Sequence, residues 1–201
     1  RGRNFPSRRV ASLALAAAVA FAASGCGSSA GSPGDSPTAS GQNATRTVTD
    51  MAGRQVELPV NVTRVVTLGS VPVINSFLFA LGKGDLIVDG LPPNFTKDTR
   101  WKYQYVFGPQ IGGQPVMQSP EYGAKAEEIV AAKPDVVLTM TPGDVDQLDK
   151  IGVKTIVLRW QNDEDVKKVV TLLGEALNVP DRAQDYSQTF DAIVAEVGDA
   201  V

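Results

Sequence analysis

The feature that most restricts the possible folds of this chain is an alternation: short β-branched or aliphatic runs are followed repeatedly by stretches with helical spacing. Arg64-Val65-Val66-Thr67-Leu68 precedes Gly69-Ser70 and an apolar stretch from Val73 to Leu81, which Gly82 closes as a helix stop. Leu86-Ile87-Val88 reads as a further strand. Ala124 to Lys133 reads as a helix before a strand at Asp135 to Met140, and Val145 to Ile151 as a helix before a strand at Thr155 to Leu158. Asn162 is a good N-cap with acids in the three positions after it, and Val166, Val169, Val170, Leu173 and Leu177 then follow helical spacing. Repeated βα units imply an α/β fold, a parallel β-sheet flanked by helices. Ahead of the first unit, Thr47-Val48-Thr49, the turn residues Asp50 to Gly53 and Gln55-Val56-Glu57-Leu58 predict a small β-hairpin. Pro180-Asp181-Arg182 opens a last helix with Tyr186, Phe190, Ile193, Val194 and Val197 on one stripe. No strand follows it before Val201, which is the expectation for a piece of a longer chain.

The first 44 residues read differently. Arg1, Arg3, Arg8 and Arg9 precede an uncharged apolar run from Val10 to Ala23, and Ala23-Ser24-Gly25-Cys26 follows at once. That run is shorter than the roughly 20 residues a helix needs to span a bilayer, so residues 1–25 read as a cleaved export signal, the alternative being an N-terminal membrane anchor. Small residues before a solitary cysteine are similar to a bacterial lipobox, which makes Cys26 the expected lipidation site. Gly, Ser and Pro supply 11 of the 18 residues from Gly27 to Ala44, a composition that reads as a tether, so residues 26–44 are assigned that role. Removing residues 1–25 takes away four Arg and no acid, so the formal charge moves from 19 − 22 = −3 to 15 − 22 = −7.

An acidic balance of that kind argues against a broad grip on nucleic-acid phosphates. With no His and one Cys, the usual general base and the clustered ligands of a zinc or disulfide framework are both missing. Gly82-Lys83-Gly84 lacks the third glycine of a dinucleotide loop and reads as a turn. Asp144, Asp146 and Asp149 match no calcium-loop spacing and read as the solvated face of a helix. The segment from Phe95 to Phe107 is more unusual. It holds 5 of the 13 aromatic residues (Phe95, Trp101, Tyr103, Tyr105 and Phe107), interleaved with Lys97, Arg100 and Lys102. A long insertion after a strand of a parallel sheet either lies in the ligand crevice or packs its rings on the sheet edge.

Three elements resemble one family. They are Val48-Thr49-Asp50-Met51-Ala52-Gly53-Arg54 through Pro59, the strand start Thr63-Arg64-Val65-Val66, and the run Ala126-Glu127-Glu128-Ile129-Val130-Ala131-Ala132-Lys133-Pro134-Asp135-Val136-Val137-Leu138. Together they look like the amino-terminal lobe of a class III (cluster-type) periplasmic substrate-binding protein, the receptor of ABC importers for iron siderophores, haem and vitamin B12. The resemblance covers about Thr45 to Val201 and implies two α/β lobes joined by one long helix. Residues 45–179 would be the N-terminal ligand-binding lobe and 180–201 the start of the interlobe helix, with the second lobe absent from this sequence. It further implies that Glu127 docks onto arginines of the membrane permease, the alternative being an ordinary surface acid, and that the loops at strand carboxyl ends hold cargo. Those loops carry Ser70, the Arg100 to Tyr105 stretch with Trp101 and Tyr103, Thr141 and Trp160. Where Lys125 and Ala126 stand, family members usually have Asn and then Leu or Val.

The expected function is that of a monomeric, lipid-anchored receptor on the extracytoplasmic face of the cell membrane. It captures a ferric siderophore or related iron complex and passes it to ABC permease subunits, with no catalytic residue, no resident cofactor or metal and no nucleic-acid partner. A small α/β enzyme acting on a phosphorylated or nucleotide substrate is the alternative, and a surface scaffold without a small ligand is a third.

Overall fold

The computed structural model describes residues 44–199. The expected signal, Cys26 and nearly all of the tether lie outside those residues. Strands β1 (Thr45–Thr49) and β2 (Gln55–Pro59) form the antiparallel hairpin, paired Thr45 to Pro59 through Thr49 to Gln55. Gly53 takes φ +80° in its turn, a left-handed conformation that favours glycine. Strands β3 (Val65–Leu68), β4 (Val136–Thr139) and β5 (Thr155–Val157) make a parallel sheet in the order β3-β4-β5. Every residue of the three is buried, as expected of a sheet covered on both faces.

Helices occupy the crossovers. Helix α1 (Val71–Ala80) follows β3, and two single-turn helices, α2 (Pro93–Thr96) and α3 (Gln104–Phe107), lie in the long connection before α4 (Ala126–Ala132). Helix α5 (Pro142–Lys150) joins β4 to β5, and α6 (Asp163–Ala176) and α7 (Pro180–Asp199) close the described region. One apolar cluster packs α1, α6, the start of α7 and the hairpin around Val65, Val136, Leu138 and Ile156. A second gathers Val66, Leu68, Val137, Ile129 and Leu148 on the opposite side of the sheet. No helix among the described residues is long and apolar enough to cross a membrane.

The helix-Lys-Pro-Asp-strand run is a corner with a clear physical basis. Lys133 ends α4 in the left-handed region at φ 48°. Arg64 donates from Nε and Nη2 to the Ala132 carbonyl left open at that helix end, at 2.9 and 2.7 Å. Asp135 Oδ2 accepts from the Thr63 N–H, the Thr63 hydroxyl and the Arg64 N–H at 2.7 to 3.0 Å. The start of β3 and the end of α4 are thereby fixed to each other.

Several expectations are corrected. Leu86-Ile87-Val88 is not a strand: Gly84–Leu86 is a 3-10 turn, and Ile87 alone bridges to Val65. Of the two branched residues of α4, Ile129 is fully buried and Val130 is 47% exposed. The three aspartates of α5 do not share one solvated face. Asp146 is exposed and Asp149 pairs with Arg54, but Asp144 is buried, which pushes its carboxyl above the ordinary value.

Candidate functional site

Helices α1 and α5 begin three residues after the ends of β3 and β4, and α6 follows β5 across the loop 158–162, so three helices start from the carboxyl edge of the sheet, the edge where parallel α/β folds bind ligands. Leu68 pairs with Thr139, which places the next residues of the two strands side by side. Gly69, at φ +86°, lets them come close: a Cβ added there would lie 3.2 Å from Met140 Cβ. Ser70 and Thr141, one residue further along each chain, are the N-cap residues of α1 and α5, and neither hydroxyl makes a capping hydrogen bond. Both are half-buried, which leaves two hydroxyls without a capping role at the rim.

Next to them opens a cavity of about 730 Å³ floored by the ends of β4 and β5 and walled by the hairpin turn and α6. Trp160 lines it and stands edge-on to Phe77 of α1, with centroids 5.5 Å apart. Met51, Met140, Leu158 and Leu172 add apolar surface, and Arg159 and Lys168 line it together with the carboxylates of Asp50 and Asp165. Lys168 is paired with Asp165 at 3.2 Å, whereas Arg159 has no ion pair with another described residue.

The hairpin reaches this cavity because Asp50 pins it. Its Oδ1 accepts from the Ala52 and Arg54 N–H groups, both at 2.9 Å, and its Oδ2 from Arg54 Nε at 2.9 Å and the Val157 N–H at 3.1 Å. Burial pushes the Asp50 carboxyl up, but those N–H groups and the Arg54 guanidinium outweigh it and hold the carboxyl below the ordinary range. Met51 is then fixed by N–H donation to the Val157 carbonyl and by its Sδ, which accepts from Arg159 N–H at 3.3 Å.

The aromatic insertion is folded against α1. Tyr103 shares a hydrogen bond with Ser76 at 2.8 Å, and Gln104 donates to the Pro72 carbonyl at 2.8 Å. Phe95, Trp101, Tyr103 and Phe107 form a continuous belt with successive centroids 6.1 to 6.4 Å apart. Tyr105 stands apart from that belt, beside Gly112. Arg100 points over the Trp101 ring and is held by Asp98, so its charge is not free. The expected ligand residues therefore fall into two groups: Ser70, Thr141 and Trp160 on the sheet edge, and Arg100, Trp101, Tyr103 and Tyr105 on a surface attached to α1. Only Trp160 among them lines the large cavity. Met51 and Lys168 line it too and were not foreseen. The sequence signal for Met51 was an Asp four residues before an Arg in a hairpin turn, the pattern that anchors the loop.

Glu127 is exposed in the first turn of α4, with no ion pair to another described residue. Lys125 stands at the N-cap without a side-chain bond, consistent with its departure from the usual Asn.

A parallel sheet with its crevice at the carboxyl edge, a hairpin folded under that edge and a corner locking α4 define a class III periplasmic binding fold. Residues 79–201 match the model of the periplasmic binding protein family, and the chain belongs to that family. No curated protein matches it. Similar solved structures include a periplasmic solute binding protein from Veillonella parvula, with a TM-score of 0.69 and 20% identity over 78% of this chain and 48% of that one. An ABC-type Fe3+-hydroxamate transport system protein from Saccharomonospora viridis has a TM-score of 0.57 and 23% identity over 77% and 56%. The molybdate periplasmic binding protein MolA of Haemophilus influenzae has 0.58 and 18% over 71% and 49%. The chain thus spans about half the length of these proteins.

Proposed function

We propose that this chain is the amino-terminal lobe of an extracytoplasmic solute-binding lipoprotein that captures an iron-siderophore or related iron complex and hands it to an ABC permease. In this reading residues 45–179 hold cargo, 180–201 begin the interlobe helix, Cys26 carries the lipid and Glu127 meets the permease. The observation that carries the proposal is the grouping of two hydroxyls without a capping role, Ser70 and Thr141, with Trp160 and Arg159 beside one cavity on the carboxyl edge of the sheet. Such a site suits a bulky, oxygen-rich ligand of negative charge, and it offers no activated nucleophile. Support for an iron complex comes from the Fe3+-hydroxamate protein among the structural neighbours. The molybdate protein shows that the fold also serves oxyanions.

Trp101 and Trp160 are the only tryptophans, so fluorescence titration of the full-length receptor reads both surfaces. Quenching by a ferric hydroxamate that Trp160→Phe largely removes is the expected result. Flat titrations with ferric hydroxamates, catecholates and haem, or turnover of phosphate esters, would defeat it. For the anchor, Cys26→Ala is expected to release the protein from membranes, and continued retention refutes lipidation there.

A further inference from the structure

Beneath the rim runs a buried chain of polar side chains that the ligand site does not use. Thr67, Asn75, Asp89 and Gln104 are each at most 1% exposed. Asp89 Oδ1 accepts from the Thr67 N–H at 2.9 Å, and its Oδ2 lies 2.8 Å from the Thr67 hydroxyl. That hydroxyl is also 3.0 Å from Asn75 Oδ1, Asn75 Nδ2 is 2.9 Å from Gln104 Oε1, and Gln104 Nε2 is 2.8 Å from the Pro72 carbonyl.

The direction of every bond follows from one end. A carbonyl oxygen only accepts, so Gln104 must turn its NH2 toward Pro72 and its Oε1 toward Asn75. Asn75 must then present its NH2 to Gln104 and its Oδ1 to Thr67. The single proton of the Thr67 hydroxyl is thereby committed to Asn75, and the Thr67 oxygen can only accept from its other neighbour. That neighbour is Asp89 Oδ2, which must carry a proton to donate. If Asp89 is ionised, the Thr67 proton turns to it and Asn75 Oδ1 faces a bare oxygen. Flipping both amides merely moves the oxygen–oxygen contact to Gln104 and Pro72. A fully satisfied network exists only for the neutral acid.

The surroundings agree. Strands β3 and β4, helix α1 and residues 108–118 contain no ionisable side chain, and α3 contributes only Tyr105, 38% exposed. On its own segment the nearest ionisable residue, Asp85, is exposed. With no cation to offset it, burial pushes the Asp89 carboxyl up to about 7, against the hydrogen bonds from Thr67.

We propose that Asp89 is a proton-binding site: as a neutral acid it donates to Thr67 and completes the chain of bonds that ties α1 to α3, and loss of its proton releases α3 and the aromatic belt it carries. The proton then acts as a latch on the surface formed by Trp101, Tyr103 and Phe107.

Carboxyl and side-chain amide NMR of the whole chain across pH 5 to 9 tests this without any cargo. The expected result is an Asp89 carboxyl midpoint near 7, with the Asn75 and Gln104 amide signals moving at the same midpoint. Hydrogen exchange at the Gly108 N–H, bonded to Gln104 O, should speed up about tenfold above it. Asp89→Asn places a carbonyl toward the Thr67 N–H and an NH2 toward its hydroxyl, mimicking the neutral acid, so Gly108 should stay protected throughout the range. An Asp89 midpoint below 5 in the wild type overturns the proposal, as does a pH-dependent Gly108 exchange step that survives in Asp89→Asn.

Discussion

Replacing Asp50 by Asn gives the sharpest test of how the hairpin is held. The substitution keeps the shape and removes the charge. Either orientation of the new amide keeps an oxygen for one pair of N–H groups and turns an NH2 toward the other. In one case Arg54 Nε–H and the Val157 N–H face a donor, and in the other the Ala52 and Arg54 backbone N–H groups do. Two bonds to an ionised carboxylate are lost in either orientation, and the favoured one keeps the buried Val157 N–H bonded and leaves the backbone N–H groups of exposed Ala52 and half-buried Arg54 facing a donor, so the loss should be about 2 to 4 kcal/mol. Urea unfolding of the purified chain at pH 7 reads it as a lower midpoint with an unchanged slope. The acid limb gives a second readout. The native Asp50 carboxyl is held below its ordinary range, so its contribution is complete above that range and is lost as pH falls through the native value. Asp50→Asn should flatten that limb. A loss under about 1 kcal/mol with an unaltered acid limb would refute the reasoning.

Asp89 predicts the opposite slope. Its native acid keeps a proton that the unfolded chain has released, so stability should fall as pH rises from 3.8 to about 7, by about 4 kcal/mol in total, and the fall should vanish in Asp89→Asn in denaturant titrations at successive pH values. Gly174 of α6 lies so close to α7 that a Cβ would sit 2.5 Å from Ala183 Cβ. Gly174→Val should therefore lower stability by about 1 to 3 kcal/mol, measured by thermal unfolding, and an unchanged midpoint would show that the two helices separate freely. Glu127→Arg in the full-length receptor should abolish uptake while leaving cargo affinity nearly unchanged, and normal uptake by that variant would remove Glu127 from the permease contact.

The fold was legible wherever one segment carried its own signals. Asn162 caps α6 through its side chain, accepting from the Asp165 N–H at 3.0 Å, and the valine and leucine spacing behind it needed no distant partner to be read. Ile87 failed for the converse reason. Its β-branched run follows Gly84-Asp85-Leu86, which closes into a tight turn and leaves one residue to reach β3. The site was half legible. The resemblance to the family pointed to Ser70, Thr141 and Trp160 as candidates, and each follows the end of a strand whose place in the sheet the βα alternation already encodes. Met51 was hidden, since its place in the cavity depends on Asp50 reaching a backbone N–H 107 residues away. The roles within the aromatic insertion were hidden as well, because its rings are oriented by amides on α1 and α3 whose pairing no local pattern encodes.

The register of β3 against β4 gives the rim a built-in gauge. Adjacent strands stand about 4.8 Å apart, so the loops that leave Leu68, Thr139 and Val157, and carry Ser70, Thr141 and Trp160, start from the sheet at that interval. Anything that bridges two of these loops spans a gap whose starting width the sheet sets. Changing a side chain alters which atom sits on each graduation, but only a slip of one strand past its neighbour would alter the scale.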